Sequence, residues 1–360
     1  MKNRRREGIL EIMPGGFGLL RDVKRNFAPR DDDPYLDHEL IEKYHLREGL
    51  KITGELGLKR RRSGRPILQR ILLCNDVSPE EYMQVPDIKS LVSIDPEEQL
   101  HITTSPKDIT GRLIDTLTPI GKGQRGMIVS PPKAGKTTLL KTIARAVRQN
   151  HPEVTVFILL VDERPEEVTD FQRNLEGVQV FHSSADQDVE SHIRISELTM
   201  NMAIRRVEFG EDMMVLIDSL TRMGRAFNKD VESNGKTMSG GLGANALEIP
   251  RRFFGAARNV EHGGSLTVLA SILIHTGSRM DKVIYNEFKG TGNLDLVLSR
   301  ECADQRMFPA ININESGTRK EHKILSEEAL DESYRLRRRI ADLKPDSALQ
   351  HVLRYFSQDQ

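Results

Sequence analysis

The chain has 360 residues, of which 38% are hydrophobic and 29% charged, and its 53 Lys and Arg balance its 53 Asp and Glu. This length exceeds what one hydrophobic core usually spans, so we expect two domains, and the neutral total argues against simple electrostatic adhesion to nucleic acid. The longest apolar run, residues 154–161, is far short of the roughly 20 residues of a membrane helix, and the N-terminus lacks the apolar stretch of a signal peptide. With only two cysteines and no CxxC pair, these features predict a cytoplasmic protein without a membrane segment, a disulfide framework or a zinc site.

Residues 1–78 are predicted to form a small β-barrel. Short apolar segments, GILEIM and PILQRILLC among them, are separated by Gly, Pro and charged residues, a spacing typical of a barrel or a sandwich. Residues 1–76 hold 17 Lys and Arg against 12 Asp and Glu, and the basic residues concentrate at 4–6 and 59–65. Such clusters occur both in solvated loops and in sites for polyanions, so charge alone leaves both alternatives open.

Residues 79–110 are predicted to be a connector and residues 111–360 an α/β domain. The connector has scattered prolines and little periodicity. Beyond it, continuous apolar runs such as VTVFILLV and MMVLIDSL alternate with amphipathic helical patterns. This alternation indicates a mainly parallel sheet that is covered by helices on both faces.

A phosphate-binding loop is predicted where VSPPKAGKTT joins an apolar strand to an amphipathic helix. Ser130 stands where the usual pattern G-x-x-x-x-G-K-[ST] begins with glycine, but the two prolines that follow can shape the same turn. In this pattern Lys136 reaches the β and γ oxygens of ATP, and the hydroxyl of Thr137 binds Mg²⁺. The alternative is an ordinary strand, turn and helix with a surface lysine. The backbone N–H groups that can cradle phosphate belong to Lys133, Ala134, Gly135, Lys136 and Thr137.

Acidic residues end two further apolar strands. Asp218 ends the strand MMVLID, where a Walker-B carboxylate holds Mg²⁺. The segment VFILLVDERPEE delivers Asp162, Glu163 and Arg164 to the carboxyl end of another strand, where ligands bind in open α/β sheets. Glu163 can activate water there. A carboxylate at a strand end can also serve only as a helix cap, and the pattern alone leaves that alternative open.

Five segments follow one another along the chain: GKGQRGMIVSPPKAGKTTLL, VDERPEEVTD, RRFFGAARNVEHGGSLT, EFKGTGN and FPAININESGTRKE. Together they closely resemble the Rho family of bacterial transcription termination factors, and the resemblance covers residues 7–320. It implies a homohexameric ring of RecA-like P-loop ATPase domains, each with an N-terminal OB or cold-shock-like barrel. Such a ring moves along single-stranded RNA, unwinds RNA–DNA hybrids and releases the transcript from the RNA polymerase elongation complex.

The resemblance also implies roles in ATP hydrolysis. Glu163 is expected to act on the attacking water, Arg319 to be an arginine finger inserted by the neighbouring subunit, and Arg164 to be a second arginine at that interface. Because the arginine finger comes from a neighbouring subunit, catalysis is expected to require the assembled ring. Phe308 is expected to stack on adenine rather than to fill a core. Thr138 stands where the family often has a methionine on the other face of the base, so the adenine sandwich is expected to be weaker.

RNA contacts are implied in both domains. GKTMSGGLGAN and HTGSR resemble the Q-loop and R-loop of the central channel, and GGFGLLRD resembles a cold-shock motif whose aromatic residues stack on bases while an arginine meets phosphate. The implied channel residues are Lys236, Ser239, Gly240 and Arg279, and those of the barrel are Phe17, Arg21 and Tyr35.

Two departures from the family pattern affect the barrel. Leu19 replaces a second aromatic, and KRRRSGRPILQ lacks the Glu-x-Tyr element that recognises cytosine in the family. Because stacking contributes roughly 1–3 kcal/mol per base, we expect a weaker pyrimidine preference and a steeper salt dependence than in a typical member.

Two other classes of protein remain as alternatives. A subunit of a rotary ATPase would hydrolyse ATP indifferently to RNA. An RNA-binding scaffold would hold ATP without hydrolysing it.

Overall fold

The N-terminal part of the computed structural model, which describes residues 5–61, 64–232, 243 and 245–358, is a closed five-stranded barrel in the order β1-β2-β3-β5-β4. Neighbouring strands are antiparallel except β3 and β5, which are parallel. Leu10, Leu20 and Ile52 lie in its core. Gly54 is required where the pairing between β4 and β5 shifts register, because a Cβ there would lie 2.5 Å from the carbonyl oxygen of Arg70. The elements are β1 (Arg5–Ile12), β2 (Gly18–Arg21), β3 (Tyr35–Leu36), α1 (His38–Lys43), β4 (Lys51–Arg60) and β5 (Pro66–Cys74).

The connecting segment is more ordered than its sequence suggests. It contains α2 (Pro79–Tyr82), which begins with a capping box between Ser78 and Glu81, and the short strand β6 (Ser93–Ile94). β6 pairs with a strand of the second domain, so the connector ends as part of the large sheet.

The second part is the expected α/β unit. Its sheet has the order β14-β13-β7-β12-β10-β8-β9, parallel apart from the edge strand β14, and β11 joins β12 to β6. The strands are β7 (Arg125–Ser130), β8 (Thr155–Glu163), β9 (Gln179–Ser184), β10 (Asp212–Asp218), β11 (Arg258–Val260), β12 (Ser265–Leu273), β13 (Leu294–Val297) and β14 (Gly317–Thr318).

Helices cover both faces of this sheet. Those packed against one apolar core are α3 (Ile109–Leu117), α4 (Lys136–Asn150), α5 (Pro165–Asn174), α10 (Arg300–Asp304), α11 (Glu327–Ile340) and α12 (Pro345–Gln358). The other core is covered by α6 (Val189–Glu208), α7 (Leu220–Glu232), α8 (Glu248–Gly255) and α9 (Arg279–Phe288). Among the described residues, no helix combines the length and the apolar character that crossing a bilayer requires.

Helix α6 holds the barrel against the sheet. Glu208, at its end, accepts hydrogen bonds from the Arg47 guanidinium and from the Ile88 backbone N–H, both at 2.9 Å. Near its start, the Arg194 Nε donates to Glu11 of β1 at 3.1 Å. These contacts fix the barrel on α6, which itself packs against β8 and β10 on one face of the sheet.

Candidate ATP site and RNA-binding surfaces

The predicted phosphate loop lies between β7 and α4. Gly135 has φ +92° and begins the helix, and Lys133 has φ +63°, so both turn through the left-handed region. Gly135 supplies this conformation without a Cβ penalty. The side chain of Lys133 is exposed, and Ala134 is buried. The first turn of α4 thus presents its free N–H groups where the chain leaves the sheet.

Lys136 lies among carboxylates at the carboxyl edge of the sheet. Its Nζ pairs with the Oδ1 atom of Asp218 and lies 3.7 Å from the Oε1 atom of Glu163. The Ser271 hydroxyl donates to the same Asp218 oxygen at 2.9 Å. The structure therefore brings Lys136, Asp218 and Glu163 together, as the sequence predicts.

Glu163 is aimed into this cluster by an irregularity in β8. The pairing with β9 shifts between Val161 and Glu163, and Asp162 has φ +56°, which is typical of a bulge that re-aims a side chain. Glu163 is 1% exposed, and its Oε1 lies 3.2 Å from the Arg222 Nε.

The environment of Glu163 favours proton exchange near neutrality. Burial, and then the neighbouring Asp218, raise its pKa to about 7, while Lys136 and Arg222 oppose the rise. Neither carboxylate oxygen has a hydrogen-bond partner among the described residues. A buried carboxyl group with these properties is suited to holding water or taking a proton.

The donor set fits a magnesium nucleotide. The Asp218 Oδ2 is buried without a hydrogen-bond partner among the described residues, and Thr137 follows Lys136 in the first turn of α4. Carboxylate and hydroxyl oxygens are ligands that Mg²⁺ prefers. Thr137 is half-buried and Thr138 exposed.

Phe308 borders the phosphate loop. Its ring is 51% exposed, which excludes the core alternative, and its Cε1 lies 3.5 Å from the position that a Cβ on Gly135 would take. An open aromatic face beside a phosphate loop is suited to stacking on a base.

The two arginines that were predicted to act at the subunit interface lie at opposite ends of the parallel strands. Arg164 is exposed at the start of α5, next to Glu163. Arg319 is exposed at the end of β14, and its backbone N–H donates to the Asn293 carbonyl at 2.8 Å. Because β13 and β7 are paired in register, Arg319 lies level with Arg125, the first residue of β7. The phosphate loop starts at the other end of β7, about 20 Å away at 3.3 Å per residue.

The two predicted aromatic RNA contacts of the barrel lie side by side. The rings of Phe17 and Tyr35 are stacked, with centroids 5.2 Å apart and planes at 27°. The Arg61 guanidinium lies 3.7 Å from the centroid of the Tyr35 ring and donates to its hydroxyl. Tyr35 is consequently only 4% exposed. A base has access to the half-buried Phe17 ring, and it reaches Tyr35 only if Arg61 moves.

Arg21 differs from its predicted role as a phosphate contact. It is 3% exposed, and its guanidinium is ion-paired with both Glu11 and Asp33. In this structure a buried guanidinium held by two carboxylates does not face solvent, where an RNA phosphate would lie. Instead, Arg21 belongs with Glu11 and Arg194 to the contacts that fix the barrel on α6.

The channel residues are only partly within the described chain. Arg279 is exposed at the start of α9 and lines a cleft of about 630 Å³ together with Tyr285 and Glu315. Its loop directly follows β12, the strand that carries Ser271. The other three, Lys236, Ser239 and Gly240, lie outside the described residues.

Comparisons with known proteins agree with both domains. Residues 6–80 match the family described as the Rho termination factor RNA-binding domain, and residues 111–318 match the nucleotide-binding domain of the ATP synthase alpha/beta family. The chain is 45% identical over 350 residues to the transcription termination factor Rho of Cereibacter sphaeroides, covering 96% of this chain and 83% of that protein. The corresponding protein of Thermotoga maritima is 44% identical over 358 residues, covering 98% and 82%. The chain belongs to the Rho family.

Solved structures of lower identity show the same fold as this Rho-family chain. An ATPase from the type III secretion system of pathogenic bacteria has a TM-score of 0.61 at 21% identity, over 81% of this chain and 88% of that one. An ATP synthase subunit from Nanoarcheaum equitans has a TM-score of 0.58 at 18% identity, over 73% and 68%. The predicted combination of a RecA-like P-loop domain with an OB-like barrel is confirmed.

Four side chains of this Rho-family site were missed by sequence reasoning. Arg222 pairs with Glu163, Ser271 bonds Asp218, Arg61 covers Tyr35, and the Arg300 guanidinium donates to the Pro132 carbonyl of the phosphate loop at 2.7 Å. Arg222 had a signal, since it lies four residues after Asp218, in the first turn of α7. The other three depend on contacts between distant segments.

Proposed function

We propose that this chain hydrolyses ATP at the interfaces of a homohexameric ring. As a member of the Rho family, it is an RNA-dependent ATPase that terminates transcription. In our proposal one subunit supplies Lys136, Glu163 and Asp218, and the adjoining subunit supplies Arg319. One observation carries this proposal: Arg319 is exposed about 20 Å from the phosphate loop of its own chain, so it is free to serve another copy.

Each residue has a distinct part in binding and catalysis. Residues 133–137 hold the phosphates with backbone N–H groups, and Phe308 stacks on the adenine. Thr137 and the free Asp218 oxygen would hold Mg²⁺, which would supply positive charge to neutralise the phosphates. When phosphate and metal are bound, Lys136 is expected to transfer from the carboxylates to the phosphate oxygens.

Glu163 orients and polarises the attacking water. Its Oε2 has no hydrogen-bond partner among the described residues, and burial raises its pKa, which favours taking a proton from the water. Arg222 holds the carboxylate in place at 3.2 Å. Arg319 of the adjoining subunit then offsets the charge that develops on the transferring phosphoryl group, a contribution on the order of 10³ or more in rate.

Helix α7 connects this chemistry to the RNA channel. Arg222 contacts Glu163, and one turn later Arg225 forms two hydrogen bonds with Asp281 of α9, at 2.8 and 2.5 Å. Arg279 lies at the start of α9. In our proposal, a shift of Arg222 when nucleotide is cleaved is transmitted through Arg225 and Asp281 to the loop that carries Arg279. We infer that the ring works in the cytoplasm on transcripts that leave the RNA polymerase elongation complex.

Phosphate release with and without single-stranded RNA tests the proposal. RNA should stimulate release, and Glu163→Gln should lower the stimulated rate by about 10² or more, as loss of a general base does. Glu166→Gln removes the same charge from an exposed position of the neighbouring helix and serves as the matched control.

The two alternatives predict different outcomes of this assay. A subunit of a rotary ATPase, for which the ATP synthase family match is the supporting observation, would release phosphate at a rate indifferent to RNA. A scaffold would bind both ligands without turnover. Either result contradicts the proposal.

A further inference from the structure

Arg319 lies in a row of polar side chains that crosses three strands. Its backbone hydrogen bond to Asn293 continues the ladder between β13 and β14, and Leu294 pairs with Gly126 of β7. Asn293 is therefore opposite both Arg319 and Arg125. Residues directly opposite each other on neighbouring strands place their side chains on the same face of a sheet. The residue two positions further along either strand has its side chain on that face too. Arg125, Asn293, Arg319 and Asp295 consequently lie on the same face.

Arg125 is affected by the charges of two other arginines, Arg319 of the row and Arg258 of β11. Burial, followed by the guanidinium groups of Arg258 and Arg319, lowers the pKa of Arg125. Backbone carbonyls fix two of the three arginines: Arg125 donates to Thr291 at 2.5 Å, and Arg258 donates to Ile88 at 3.2 Å. Across the described part of the chain, no carboxylate forms an ion pair with any of the three. Within the described residues, the Arg319 guanidinium has no hydrogen-bond or ion-pair partner, so repulsion acts on its orientation.

Asp295 is the acidic residue of this row. Its Oδ1 is buried and has no hydrogen-bond partner among the described residues. Burial raises the pKa of Asp295, and Arg319, followed by Lys289 just after α9, lowers it. In an antiparallel pair, Asp295 and Arg319 are diagonal neighbours, a spacing that a long side chain bridges. The carboxylate therefore attracts the guanidinium without being in contact with it.

We propose that Asp295 is a positioning residue for Arg319. Its carboxylate offsets the repulsion from Arg125 and Arg258 and keeps the Arg319 guanidinium in the orientation from which it reaches the triphosphate of the next subunit. This inference rests on the proposed role of Arg319 in catalysis. Because a misplaced group costs rate steeply, Asp295 should affect turnover more than it affects ATP binding.

Neutralising Asp295 tests the inference. With saturating single-stranded RNA, Asp295→Asn should lower kcat about tenfold and leave the KM for ATP within about twofold, since the nucleotide binds on the phosphate loop of another subunit. Asp295→Glu keeps the charge and should retain most of the activity. Asp295→Ser, a second neutral variant, should behave like Asp295→Asn. Melting temperature and ring mass are measured for each variant.

A second substitution separates positioning from mere structural support. In the Asp295→Asn background, Arg125→Gln removes one repelling charge and should raise kcat about threefold or more, whereas Arg125→Lys keeps the charge and should not. Loss of packing at position 295 would not be repaired by removing a second arginine.

The outcomes also distinguish this inference from the proposed function. If Arg319→Ala lowers kcat steeply while Asp295→Asn leaves kcat unchanged, the role of Asp295 is overturned and that of Arg319 stands. If Arg125→Gln gives no rescue, or Arg125→Lys rescues equally, the role of Asp295 is also overturned. If Arg319→Ala has no effect, both are overturned.

Discussion

Glu197→Gln should stabilise the protein at pH 8 and have little effect at pH 5. Glu197 lies on α6, where burial and then Glu48 raise its pKa to about 7, while Arg252 opposes the rise. An acid whose pKa is raised by folding contributes stability that is fully present below its ordinary pKa and is lost as the pH rises through the folded value. Its ordinary pKa is 4.5, so the loss falls mainly between pH 5 and 8.

The expected size follows from the two pKa values. Moving the pKa of Glu197 from 4.5 to about 7 corresponds to about 3 kcal/mol between the charged and neutral forms, and glutamine reproduces the neutral form. We therefore expect Glu197→Gln to raise the free energy of unfolding at pH 8 by about 2–3 kcal/mol. The substitution also removes a repulsion between α6 and the barrel carboxylates, including Glu11.

Denaturant unfolding at pH 5 and pH 8 measures this effect. Glu190→Gln, at an exposed position of the same helix, is the matched control and should change stability little at either pH. An equal gain at both pH values, or no gain at pH 8, would refute the reasoning about Glu197.

Three further predictions concern activity and RNA binding. Arg222→Leu should lower kcat about tenfold or more with little change in the KM for ATP, because the substitution releases the Glu163 carboxylate. Arg222→Lys should retain more activity, and a changed KM with an intact kcat would contradict this role. Phe308→Ala should raise the KM for ATP about tenfold and Phe308→Tyr should not, because base stacking is worth roughly 1–3 kcal/mol; equal values for both variants would exclude stacking. In filter binding at several salt concentrations, poly-C and poly-A should bind with similar affinity and steep salt dependence; strong selectivity for poly-C would count against this expectation.

The ATP site was largely predictable because its residues come from ends of regular elements. Strands that end at Asp218 and Glu163, and a helix that starts at Lys136, meet at one edge of a parallel sheet, so adjacency follows from topology. Leu140, Ile143 and other apolar positions of α4 are buried at the predicted helical spacing. The bulge that aims Glu163 was not predictable, because it depends on pairing with β9.

The barrel surface was less predictable because its charges pair over long sequence separations. Arg21 follows the aromatic motif as expected, yet Asp33, 12 residues later, binds its guanidinium. Arg61, 26 residues after Tyr35, covers the ring that sequence reasoning assigned to a base. Spacing within one motif carries no information about such partners, because they come from segments outside the motif.

The most direct test of the central claim mixes two inactive variants. Glu163→Gln and Arg319→Ala should each abolish most RNA-stimulated phosphate release. In rings assembled from equal amounts of the two, about a quarter of the interfaces combine an intact Glu163 with an intact Arg319 from the adjoining subunit. We predict phosphate release from the mixture clearly above that of either variant alone. A mixture no more active than its components would contradict a catalytic site shared between subunits.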